Sequence, residues 1–109
     1  MRAFPLADIA HATIAVSPAS GSGREEADDY CAIIVKLNTL WRVIQCRDAI
    51  QWILQRRAGT RHGQPRWDGR CYCRTRQGLL RRVRELTGEC DGVALSIIER
   101  LPEHMEVRR

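Results

Sequence analysis

The clearest regularity along the chain is a change of period near residue 75. Before it, apolar and polar residues tend to alternate; beyond it, apolar residues recur at three- and four-residue spacing. In residues 50–57 the alternation sets Ile50, Trp52 and Leu54 on one face and Gln51, Gln55 and Arg57 on the other, with Ile53 as the misfit. Residues 67–74 read as a partner strand, with Trp67, Cys71 and Cys73 inward and Arg70, Tyr72 and Arg74 outward. Residues 41–47 form an earlier strand, closed by a tight turn at Asp48-Ala49. Residues 30–37 are apolar and β-branched, which suits a buried strand or a short helix, and Asn38-Thr39 break the run. The stretch 59–66 is polar, basic and supplied with glycine and proline, so it reads as a loop.

Two helices follow. Thr75 is placed to cap the first, whose Leu79, Leu80, Val83 and Leu86 form an apolar stripe with Arg76, Arg81, Arg82 and Arg84 mostly outside it. Gly88 is placed to end that helix. Asp91 caps a second helix that turns Ala94, Ile97, Ile98 and Leu101 inward and stops at Pro102. The pattern predicts an α+β fold: an antiparallel sheet of three or four strands, packed on one face by two C-terminal helices. Residues 30–104 make up that single domain. Residues 1–29 read as a flexible N-terminal arm, in which 4–16 form a short strand or a marginal helix and 17–23 are linker-like. The acidic Glu25, Glu26, Asp28 and Asp29 end the arm and can fold back on basic positions. The tail frays from Glu103, with 105–109 outside the domain.

Charge sharpens this picture. The net charge is +5, but residues 41–90 alone carry twelve arginines against Asp48, Asp68, Glu85 and Glu89, a local net of +8. Lys36 is the only lysine. Arginine's planar fork suits bidentate contacts to phosphate and carboxylate alike, so the segment points to an acidic partner without naming its kind. A GC-rich genome also favours arginine codons, which explains the preference over lysine but not the clustering.

With 109 residues the chain has room for one modest core, and it has no apolar run long enough to span a membrane. The apolar stretch 9–16 is short and interrupted by His11 and Thr13, unlike a secretory signal, so the expected location is the cytoplasm. Five cysteines, an odd number, fit a reducing compartment better than a disulfide framework. Cys71 and Cys73, with Cys46 on a neighbouring strand and His62 in the loop, make a zinc set on paper. The one-residue gap is unlike a metal knuckle, and cysteine is commonly a small core residue, so no metal or other cofactor is expected. The three histidines (His11, His62, His104) fall in the arm, the loop and the tail, and there is no phosphate-cradling glycine loop or paired-histidine helix. The expectation is therefore a protein that is not an enzyme.

Two resemblances bear on function. The order of three strands then a helix with a basic outer face resembles the small DNA-binding sheets of phage-integrase arm domains and plant ethylene-response factors. It covers residues 41–87 and is carried by Trp52-Ile53-Leu54-Gln55-Arg56-Arg57, by Trp67-x-Gly69-Arg70-Cys71-Tyr72-Cys73-Arg74-Thr75, and by the helix at 79–86. It implies a sheet that enters the major groove; the second helix departs from the pattern. Residues 41–104 are also similar to small proteins of bacterial mobile elements and prophages. That likeness is carried by the Trp-Ile-Leu-Gln-Arg-Arg strand, by Tyr72-x-Arg74-Thr75-Arg76, and by the ending Leu101-Pro102-Glu103-His104. It implies no particular activity, but it admits a counter-defence role of the anti-CRISPR type.

The resulting expectation is a non-enzymatic binding protein of a mobile element, contacting nucleic acid through the outer sheet face. The residues expected to carry contact are Gln55, Arg57, Arg61, Arg66, Arg70, Tyr72, Arg74 and Arg76. The alternative is an anti-CRISPR-type inhibitor that sets the same surface against an acidic or nucleic-acid-binding surface of a host defence complex, so the expected partner is nucleic acid or an acidic protein surface.

Overall fold

The computed structural model describes residues 22–105, so the expected arm at 1–21 and tail at 106–109 lie outside the described residues. Four strands, β1 (Ile33–Lys36), β2 (Trp41–Gln45), β3 (Trp52–Arg61) and β4 (Gln64–Cys73), precede two helices, α1 (Arg76–Leu86) and α2 (Gly92–Glu99). The strands pair in chain order, all antiparallel, because each connection is a short turn. The Asn38 side-chain oxygen accepts from the backbone of Leu40 and Trp41, both at 2.9 Å, and so closes the first turn. Ala49, at φ 56°, closes the second. His62 and Gly63, at φ 54° and 80°, form the third, a two-residue hairpin turn whose twist matches the flanking strands.

That third turn corrects the expected loop. Residues 59–66 are a ladder, with Thr60 opposite Pro65 and Arg61 opposite Gln64, and only His62 and Gly63 lie between the strands. A chain with the right turn residues at the tip continues pairing even where its composition looks like loop.

The alternation in β3 holds. Val43, Trp52 and Leu54 belong to the core beneath the helices, with Cys71 and Cys73 packed against it. From above, α1 contributes Leu79 and Val83, and α2 contributes Ala94 and Ile98. Burial of Leu79, Val83 and Ile98 contributes about 1.5–3 kcal/mol each. Thr75 and Asp91 are the N-caps expected, accepting from the backbone of Gly78 and Val93. Gly88, at φ 69°, follows the α1 C-cap Thr87.

Ile53 is the informative misfit. It pairs with Ile44 on the opposite face, where both are buried with Tyr30, Ala32 and Cys46 in a second, smaller core. The outer face is therefore covered, and its cover is the segment 22–32. This corrects the expected arm boundary for its described part: residues 22–29 are tied down by main-chain bonds such as Ser22 N to Asp29 O at 2.8 Å and Trp67 N to Glu26 O at 3.0 Å.

Trp67 also changes sides. Leu54 is paired with Cys71 but Gln55 with Gly69, which leaves Arg70 as an extra residue in β4. The bulge reverses the phase of every earlier position in that strand, so Trp67 faces outward with Gln55 rather than inward with Cys71. The tail is likewise more ordered than expected. His104 bridges Thr75, and Met105 N donates to Arg74 O at 2.7 Å. Among the described residues, no helix is long and apolar enough to cross a membrane.

Candidate functional site

The outer face of the sheet is organised around Arg42, whose exposure is 0%. Its Nε donates to Gln55 Oε1 at 2.6 Å and its Nη1 to Asp28 O at 3.0 Å. Nη2 donates to Glu25 O at 3.1 Å and to Ala27 O at 2.8 Å. The guanidinium also lies over the Trp67 ring, 4.4 Å from its centroid. The acidic segment does fold back on a basic position, but main-chain carbonyls, not carboxylates, receive the guanidinium. Asp28 holds a different donor: its Oδ1 accepts from Trp67 Nε1 at 3.0 Å. Burial pulls the Arg42 pKa down to about 10, with the nearby Asp28 charge opposing that effect, so the group is a cation at neutral pH.

Gln55 belongs to the same network. It was expected on an exposed binding face, yet it is 2% exposed, and its Nε2 donates to Glu25 O at 2.9 Å. The physical reason for this correction is that two buried apolar residues, Ile44 and Ile53, share the outer face. Covering them brings residues 25–28 over Gln55 and Arg42. Tyr30 anchors the cover from the other side by donating its hydroxyl to Gln45 O at 2.8 Å. Burial, followed by the charge of Glu25, pushes that phenol well above its ordinary pKa.

The remaining expected contact residues separate into distinct places. Arg76 is half-buried and donates to Leu101 O at 2.9 Å, so it holds the C-terminal turn. Arg66 is paired with Asp68 at 2.9 Å. Arg61 is exposed at the hairpin tip, where it and Arg66 line one depression with Arg24, Glu26, Asp28 and Asp29. Arg57 is exposed at the far end of the sheet, near Lys36. Arg70 is exposed in the β4 bulge.

Tyr72 and Arg74 are drawn into a second, more basic concavity. It is an open groove of about 400 Å³ where β4 ends beside α1, and it is also lined by Thr75, Gly78, Arg81, Arg82 and Glu85. Arg82 is paired with Glu85 at 3.0 Å. The side chains of Arg74 and Arg81 make no ion pair or hydrogen bond among the described residues. A Cβ on Gly78 would stand 2.9 Å from Thr75 Oγ1, the oxygen that accepts the α1 cap bond from Gly78 N. Arg81, Arg82 and Gly78 are the site residues that the expected set lacks. Their signal was the helical spacing 78, 81, 82, 85, but which element that face looks onto depends on how α1 docks.

The cysteines do not assemble as a metal set. Cys71 and Cys73 pack toward the helix-side core, whereas Cys46 belongs to the outer cluster on the opposite face. Burial raises the pKa of the Cys73 thiol, with the neighbouring Cys71 adding to that effect. All five cysteines are unbridged. Among the described residues, no three His, Cys, Asp or Glu side chains are grouped to hold a metal ion. Comparison of the chain with protein-family models, with curated proteins and with solved structures gives no match.

Proposed function

We propose that this protein binds nucleic acid through the groove between the end of β4 and α1, without catalysing a reaction on it. The observation that carries the reading is the pair Arg74 and Arg81, which line one open concavity beside the exposed Tyr72 and have no acidic partner of their own among the described residues. Arginines left unneutralised next to each other repel, and an incoming row of phosphates relieves that repulsion while accepting forked hydrogen bonds. The contact surface is thus the β4 end and the arginine face of α1. The centre of the outer sheet face lies under residues 25–28.

The test is fluorescence anisotropy of a labelled oligonucleotide at several salt concentrations. Two to three phosphate contacts release enough counterions to weaken binding about seven- to fortyfold across a fourfold rise in salt, the lower part of that range applying to single strands. Arg74→Glu with Arg81→Glu should abolish binding while leaving the circular dichroism of the folded protein unchanged. Absence of binding to any nucleic acid at low salt sinks the proposal and turns the search to an acidic protein surface.

A further inference from the structure

Tyr72 is the most exposed aromatic side chain among the described residues, at 59%, and its setting is unusual in two respects. First, it lies down. The space that a Cβ on Gly69 would fill is taken by the Tyr72 hydroxyl, with ring carbon Cζ at 3.0 Å and Ile53 Cγ2 at 3.2 Å from the same point. The missing side chain at 69 lets the phenol extend along the sheet rather than project from it. The hydroxyl makes no hydrogen bond among the described residues. Second, the ring stands between two depressions of opposite charge. On one side is the groove with Arg74, Arg81 and Arg82. On the other is a smaller hollow, about 220 Å³, lined by Glu25, Glu26 and Asp68 beside Gln55 and Gly69.

A ligand suited to this arrangement must offer a flat apolar face next to a negative charge, with the charge on the α1 side only. A nucleotide in a single strand has that form, because its base is free to leave its neighbours and lie on an aromatic ring. A duplex does not, because its bases are stacked on one another. Reading it calls for a helix or ribbon that projects into a groove about 12 Å wide. The concavity here is an open depression, and Tyr72 lies along the sheet beside it rather than projecting as a reading element would. Resting on the nucleic-acid reading above, we infer that the site takes single-stranded nucleic acid, with one base stacked on Tyr72 and the adjoining phosphates on Arg74 and Arg81. The acids beyond the ring repel phosphates from that side and so keep the backbone on the α1 side.

The experiment compares a short labelled oligothymidylate with a hairpin duplex of similar length, using the full chain. The single strand should bind at least tenfold more tightly. Tyr72→Ala should weaken single-strand binding about tenfold, the order of the loss expected when one base–aromatic stack is removed. It should leave the salt dependence unchanged, because an uncharged contact releases no counterions. Tyr72→Phe, which keeps the ring, should recover most of what Tyr72→Ala loses. Gly69→Ala should weaken binding by displacing the ring, with no change of charge. Ultraviolet crosslinking of the oligothymidylate should mark the peptide that contains Tyr72.

Equal affinity for duplex and single strand, or a Tyr72→Ala variant that binds like the parent, overturns this inference while leaving the nucleic-acid reading standing. Displacement of the oligonucleotide by thymidine monophosphate at comparable concentration also overturns it, by assigning the site to free nucleotides. Failure to bind any nucleic acid removes both.

Discussion

Replacement of Arg42 by methionine tests the account of the outer face most directly. The substitution keeps an unbranched apolar stem but removes four hydrogen bonds, to Gln55 Oε1 and to the carbonyls of Glu25, Ala27 and Asp28. It also removes the contact with the Trp67 ring. Each orphaned acceptor costs about 1–3 kcal/mol if it stays buried. Their simple sum is too large, because residues 25–28 can lift away and recover water. The penalty is then bounded by the loss of that docking, and removal of one side of a buried charged network typically costs about 3–5 kcal/mol. With a urea m-value of about 1–2 kcal/mol/M for a domain of this size, the midpoint should fall by about 1.5–5 M.

Urea unfolding followed by tryptophan fluorescence measures this, and hydrogen exchange across residues 22–32 should show lost protection in the same variant. Glu25→Gln is the companion. The backbone carbonyl that receives Arg42 is kept, and a side-chain oxygen remains to accept from Arg47 N, now at 2.7 Å from the Glu25 carboxylate. Its cost should stay at about 1 kcal/mol, because a charge-assisted hydrogen bond from Arg47 N becomes a neutral one without being lost. A small effect for Arg42→Met, or an equally large one for Glu25→Gln, would refute the argument that carbonyl dipoles hold the guanidinium.

Two further outcomes follow from local geometry. Gly63→Ala places a Cβ at φ 80° in the hairpin turn and should destabilise the protein by about 1–2 kcal/mol in the same urea titration. Burial raises the pKa of Tyr30 and of Cys73, so the unfolded chain releases these protons first as pH rises. Their contribution to stability is complete below the unfolded-state values, about 8.5 for cysteine and 10 for tyrosine, and is lost on the alkaline side. The melting temperature should therefore fall from about pH 9 upward, and Tyr30→Phe should flatten the upper part of that fall.

Much of the fold was legible because it rests on signals that need no partner. The period change near residue 75, the alternation of Trp52 and Leu54, the capping side chains of Thr75 and Asp91, and Gly88 after α1 are local features, and each appears where the sequence puts it. The candidate site was legible only in part. Tyr72 and Arg74 were visible as outward residues of one strand, but Arg81 and Arg82 join them through the docking of α1, which no local pattern encodes.

What the sequence by itself determined was the α+β class, the order of elements, the helix-side core and the concentration of arginine in the middle of the chain. Tertiary structure decided which arginines are available. A one-residue bulge at Arg70 turned Trp67 outward and gave Arg42 a ring to lie against. Ile44 and Ile53, too apolar to leave in water, drew residues 22–32 over the face that alternation alone leaves open. Burial then converted Arg42 from a surface charge into a structural cation satisfied by carbonyl dipoles. Alternation records the side of a strand on which a residue sits, but bulges shift its phase and distant segments cover its faces, and both are settled only when the whole chain packs.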